Sequence, residues 1–150
     1  MNPAAVAEPA ALRALGHVTV RSADFDRTER FYCDLLGMRP GPRPAIPVPG
    51  RWFYVGEVAV LHVLPRIAGE PDAQRGVPNG AIDHFALEAD GLPAFERRLQ
   101  AAGQPYDLRR LADGETWRIF LTDPDGARVE LVFTKRAPHA GPRAPAEETR

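Results

Sequence analysis

The sequence predicts an α+β fold: two βαβββ modules in a pseudo-twofold arrangement, forming a curved, partly closed mixed sheet around a metal cleft. Three observations predict it. Apolar alternation and helical periodicity follow one another as strand, helix and three strands, and that order then recurs. Landmark residues recur with it. His17 and His84 stand 67 residues apart, Gly37 and Gly103 stand 66 apart, and the spans His17–His62 and His84–Glu130 are 45 and 46 residues. Finally, Glu130 sits between Val129 and Leu131, where an ionised carboxylate needs a partner.

The first strand is expected over Leu15–Arg21, with His17, Thr19 and Arg21 on one face and Val18 and Val20 on the other. Asp24 suits an N-cap. The helix it opens should run to about Leu36, burying Phe25, Phe31, Tyr32, Leu35 and Leu36, and end at Gly37. After a short strand and the proline-rich stretch 39–50, the segments 51–56 and 58–64 read as a hairpin turning near Gly56–Glu57. Pro65–Gly80 reads as a loop. The second module opens with a strand over Ile82–Ala89, carrying His84, Ala86 and Glu88 on one face. Asp90 is expected to cap a helix over 91–102, in which Leu92, Phe95, Leu99 and Ala102 fall at helical spacing. Strands near Tyr106–Arg109, over Thr116–Leu121, and from the Asp123-Pro124-Asp125-Gly126 turn to Phe133 complete it.

The bulk numbers set bounds. At 150 residues with 44% hydrophobic and 26% charged residues, one globular domain is expected. We place it at 14–134, with modules of about 14–65 and 81–134, a disordered N-terminal segment at 1–13 and a disordered tail at 135–150. The net charge of −1 offers no electrostatic argument for nucleic acid or an anionic membrane. No apolar run approaches the roughly 20 residues that span a bilayer, and the N-terminus lacks a signal-peptide pattern. A single cysteine, Cys33, rules out an internal disulfide framework and suits a reducing cytoplasm. Its place in a helical pattern gives it a packing role.

The chemistry concentrates on His17, His62, His84 and Glu130. Each is expected in a strand, facing away from that strand's apolar side. The fourth histidine, His139, lies in the tail and is expected to be idle. Imidazoles with a carboxylate suit Zn²⁺, Ni²⁺, Fe²⁺, Co²⁺ or Mn²⁺. The competing reading is structural: ordinary strand histidines, with Glu130 paired to a basic neighbour such as Arg128. His62 is either a ligand or an acid–base group beside the metal. Trp52, Phe53 and Tyr54 line a pocket or fill a hairpin, and Arg109, Arg110 and Arg118 form a basic patch, more often a solvated face.

GHVTV followed by FYCDLLGM, then IDHFALEADGLPAFERRLQAAG and FLTDPDGARVEL, resemble the vicinal oxygen chelate superfamily over about residues 14–134. That superfamily includes glyoxalase I, bleomycin-resistance and fosfomycin-resistance proteins, methylmalonyl-CoA epimerase and extradiol dioxygenases. The resemblance implies one divalent ion on His17, His62, His84 and Glu130. It implies lyase or isomerase chemistry of the glyoxalase type on a small substrate with adjacent oxygens, through a metal-bound enediolate or oxyanion. Glu130 is the first candidate base and His62 the second. A cytoplasmic homodimer is expected, with the site either within one chain or shared between two. Phe120 stands where the dioxygenase pattern carries tyrosine, and no histidine lies between His84 and Glu130, which disfavours ring cleavage. A non-catalytic, ligand-sequestering protein of the bleomycin-resistance type is the alternative from a different class.

Overall fold

The computed structural model describes residues 11–69 and 80–134. Most of the expected terminal segments, most of the loop before Gly80, and His139 lie outside the described residues. Among the described residues, eight strands divide into two four-stranded mixed sheets, neither closed into a barrel. The first holds β1 (Val18–Ser22), β2 (Arg39–Gly41), β3 (Arg51–Val55) and β4 (Val58–Pro65) in the order β1-β4-β3-β2. The second holds β5 (Phe85–Glu88), β6 (Asp107–Arg110), β7 (Trp117–Thr122) and β8 (Arg128–Phe133) in the order β5-β8-β7-β6. Position for position the two orders are the same, so the repeat inferred from spacing is also a repeat of topology. In each sheet the first strand runs parallel to the fourth, and the remaining pairs are antiparallel.

Each sheet buries one face. Val20, Phe53, Leu61 and Val63 of the first and Ile119, Leu121, Val129, Leu131 and Phe133 of the second join a single hydrophobic cluster with Phe31, Tyr32, Leu36, Met38 and Leu99. Period-two alternation therefore leaves the opposite faces, which carry the polar landmark residues, free of that core.

α1 (Phe25–Glu29) starts where expected: Asp24 Oδ1 accepts the N–H groups of Asp26 and Arg27, each at 3.0 Å. The helix then widens into a π-helical stretch, Arg30–Leu35, before Gly37 ends it at φ +86°. Widening lets the consecutive Phe31 and Tyr32 both enter the core, at 5% and 0% exposure. Phe25 and Leu35 stay half-buried. α2 (Leu92–Ala101) lacks the expected Asp90 cap; Gly91 is the N-cap, with a left-handed backbone and no side-chain cap bond.

The repeats are joined by buried polar groups. Tyr32 Oη donates to Asp123 Oδ2 at 2.8 Å, and Asp123 Oδ1 accepts the N–H groups of Asp125 and Ala127. Asp125 in turn accepts the Ala23 N–H and Thr28 Oγ1. From the other direction, Arg98 of α2 donates to the Leu35 carbonyl at 3.0 Å.

Candidate metal centre and its two halves

His17 and His84 each stand one residue before a strand, not within one as expected: β1 opens at Val18 and β5 at Phe85. Gly16 and Asp83 flank them, and neither residue type favours strand. Both imidazoles nevertheless keep the expected face. His17 lies two residues before Thr19, which pairs with His62; His84 lies two before Ala86, which pairs with Glu130. One register thus produces two equivalent juxtapositions.

In the first half, the His17 and His62 rings stack with centroids 3.8 Å apart and planes inclined by 18°. Trp52, opposite His62 on β3, stacks on the other side at 4.0 Å and 3°. Burial holds His62 below the usual histidine range, and the neighbouring His17 adds to the effect. Trp52 therefore serves the site side, Phe53 is wholly buried in the core, and the Tyr54 hydroxyl donates to the Pro42 carbonyl.

In the second half, His84 Nε2 lies 2.7 Å from Glu130 Oε2, while its Nδ1–H donates to Asp83 Oδ1 at 2.5 Å. That hydrogen bond holds Asp83 below the usual carboxylate range, helped by Arg128, whose Nη1 lies 3.1 Å away. Glu130 is 4% exposed. An ionised carboxylate so placed costs on the order of several kcal/mol unless paired. Its second partner is Arg118, with Nη1 at 3.2 Å from Oε1. The basic neighbour anticipated for Glu130 was Arg128. Strand alternation turns Arg128 to the same face but two residues earlier, where it meets Asp83.

A histidine anchored through one ring nitrogen by a carboxylate, with the other aimed at a second donor, is the usual arrangement of a metal-binding imidazole. The donor set fits a divalent ion of the kind that takes imidazole and carboxylate. The chain brings the four donors together only as two pairs. Among the described residues, no three His, Cys, Asp or Glu side chains lie close enough to hold one ion.

The Glyoxalase/Bleomycin resistance protein/Dioxygenase superfamily model matches residues 14–131. The chain belongs to that superfamily. Among curated superfamily relatives, it is 26% identical to "Glyoxylase I 4" of Arabidopsis thaliana over 126 residues, covering 82% of this chain and 72% of that protein. It is 28% identical to "Lactoylglutathione lyase" of Haemophilus influenzae over 126 residues, covering 79% and 91%. A glyoxylase/bleomycin resistance protein/dioxygenase domain from Frankia sp. shares the fold at a TM-score of 0.68 and 18% identity, covering 83% of this chain and all of that one. Glyoxalase I of Leishmania major does so at 0.62 and 22%, covering 81% and 87%. As a superfamily member, the chain has the expected α+β repeat architecture.

Three features of this arrangement were not read from the sequence: the Asp83 anchor, the Arg118–Glu130 bond and the Trp52 stack. The second was within reach. A tight turn at Asp123–Gly126 sets Phe120 opposite Glu130, and alternation then places Arg118 one row away on the same face. The Asp83 contact had no such signal, because it lies outside any ladder.

Proposed function

We propose that this protein is a cytoplasmic, divalent-metal-dependent enzyme of the glyoxalase-like lyase or isomerase type, acting on a small substrate with adjacent oxygens. The functional unit is residues 14–134. The observation that carries the reading is the equivalence of the two donor pairs, His17 with His62 and His84 with Glu130, set by the same strand register. The names of the lyase relatives support it.

His17, His62, His84 and Glu130 would hold the ion, and the two pairs would meet between two copies of the chain, so that a homodimer carries two sites. When bound, the ion supplies Lewis-acid stabilisation of negative charge on the substrate's adjacent oxygens. The remaining work belongs to the chain. Glu130 accepts the proton from carbon at Oε2, the atom that faces His84. Arg118 orients the carboxylate through Oε1. His62, whose pKa burial lowers, is the second candidate to take a proton, and Trp52 stacks on its ring.

Metal analysis of the purified full-length chain tests this. One divalent ion per chain is expected, lost in His84→Ala. Absence of stoichiometric metal from protein purified without chelators, together with failure to bind added Zn²⁺, Ni²⁺, Fe²⁺, Co²⁺ or Mn²⁺, would sink the proposal.

A further inference from the structure

The face of the second sheet that carries Glu130 also carries an arrangement that stability alone does not favour. Arg109 of β6 and Arg118 of β7 stand directly opposite one another in the ladder. Like charges at that position destabilise a sheet. A third guanidinium, Arg128, comes from β8. Arg109 and Arg128 both lie over the Phe120 ring, at 5.1 and 4.6 Å from its centroid, and the His84 ring meets Phe120 edge-on at 5.5 Å. Phe120 is 7% exposed, so it offers no open face for stacking an aromatic substrate. Its role is to pin two cations in place.

Arg128 lines a cleft of about 400 Å³ together with Tyr106, Asp107, Phe120 and Thr122 among others, and Arg109 lies over Phe120, one of those lining residues. That volume suits a small molecule. Glu130, Phe120 and Asp107 lie in one row across three adjacent strands. At roughly 5 Å per strand, the cleft begins one to two strands, about 5–10 Å, from the Glu130 carboxylate.

Asp107, Asp83 and Glu130 each pair with one of the three arginines. They leave capacity, since a guanidinium has five N–H donors, while the carboxylates engage only Nη1 of Arg118, Nη1 of Arg128, and Nε and Nη2 of Arg109. The Arg109 side chain is 57% exposed.

We infer that Arg109 and Arg128 form an anion-binding subsite, so that the substrate bears, beyond its adjacent oxygens, a carboxylate or phosphate seated in the cleft beside Phe120. This rests on the reading of the Glu130 face as the substrate site. Anions fit because guanidinium groups bind carboxylate and phosphate through directed, charge-assisted hydrogen bonds.

Calorimetric titration of the full chain with three probes tests it: 3,4-dihydroxybutanoate, glycerol 3-phosphate, and the uncharged 3,4-dihydroxybutanamide. At least one anionic probe should bind about tenfold more tightly than the amide, the worth of a charge-assisted hydrogen bond. Whichever anion binds more tightly identifies the source as carboxylate or phosphate. In Arg109→Gln and in Arg128→Gln the preference should shrink to about twofold, with melting temperatures recorded to show that both variants fold. Equal binding of all three probes overturns the inference. So does the binding of none, or a preference unchanged in both variants. Metal content measured on the same samples separates the two proposals. An anion preference in metal-free protein leaves this one standing and removes the metal reading, whereas bound metal with no preference does the reverse.

Discussion

Asp123 holds the two repeats together, and its own energetics set a pH dependence. Burial pushes its carboxyl up to about 6, although hydrogen bonds from Tyr32 and two backbone N–H groups act in the opposite direction. The fold therefore binds a proton there more tightly than the unfolded chain, whose carboxyl titrates near 4. Its contribution to stability is full below about pH 4, falls as the pH rises to about 6, and is flat beyond. The loss amounts to at most about 3 kcal/mol. Denaturation midpoints between pH 4.5 and 7 should fall more steeply for the wild type than for Asp123→Asn, which keeps the shape and cannot titrate. Parallel curves would show that Asp123 titrates normally. Burial also pushes the Cys33 thiol up to about 12, which agrees with the packing role read from its helical position.

At the scale of elements, the helix of the first repeat shows what local pattern conveys and what it omits. Asp24 and Gly37 mark its ends as capping chemistry requires, and both were legible. The π-helical stretch was not, because apolar spacing at Phe31, Tyr32, Leu35 and Leu36 is compatible with either winding; the choice was made by the core into which Phe31 and Tyr32 pack. Gly37 is a position where the helix end depends on a missing side chain. At φ +86° an L-residue is strained, while an added Cβ would meet only Arg98 Nη1 at an ordinary 3.5 Å. Gly37→Ala should therefore cost about 1 kcal/mol in chemical denaturation with no change in the denaturant slope. An unchanged midpoint would place the helix end elsewhere. The basic patch also divides at this scale. Alternation turns Arg109 and Arg118 toward Glu130, whereas Arg110 lies over Trp117 on the opposite face.

For the whole molecule, the repeat was countable because its landmarks lie in well-patterned segments; all four residues were expected in one site, and the structure brings His17 beside His62 and His84 beside Glu130. Whether the pairs meet was not countable. Proximity between sheets depends on packing and assembly, which leave no periodic trace. If the metal sites form between two copies, mixing His17→Ala and His84→Ala chains will restore one site per mixed dimer: its first half comes from one chain and its second half from the other. Metal content and lyase activity should reappear on mixing after each variant alone has shown little. Failure to recover either, with mixed dimers present, would place the site within a single chain.

The Tyr32–Asp123 hydrogen bond has a consequence for how the protein comes into being. Its donor and acceptor are separated by 91 residues, so during synthesis the first repeat emerges long before the partner of this fully buried hydroxyl exists. Phe31 and Tyr32 then wait beside Phe53 for a wall of β7 and β8 side chains that the ribosome has not yet made. A duplicated architecture suggests two halves able to stand alone. Here the first half is an unfinished interior, and a nascent chain halted before Asp123 exposes the surface that chaperones recognise.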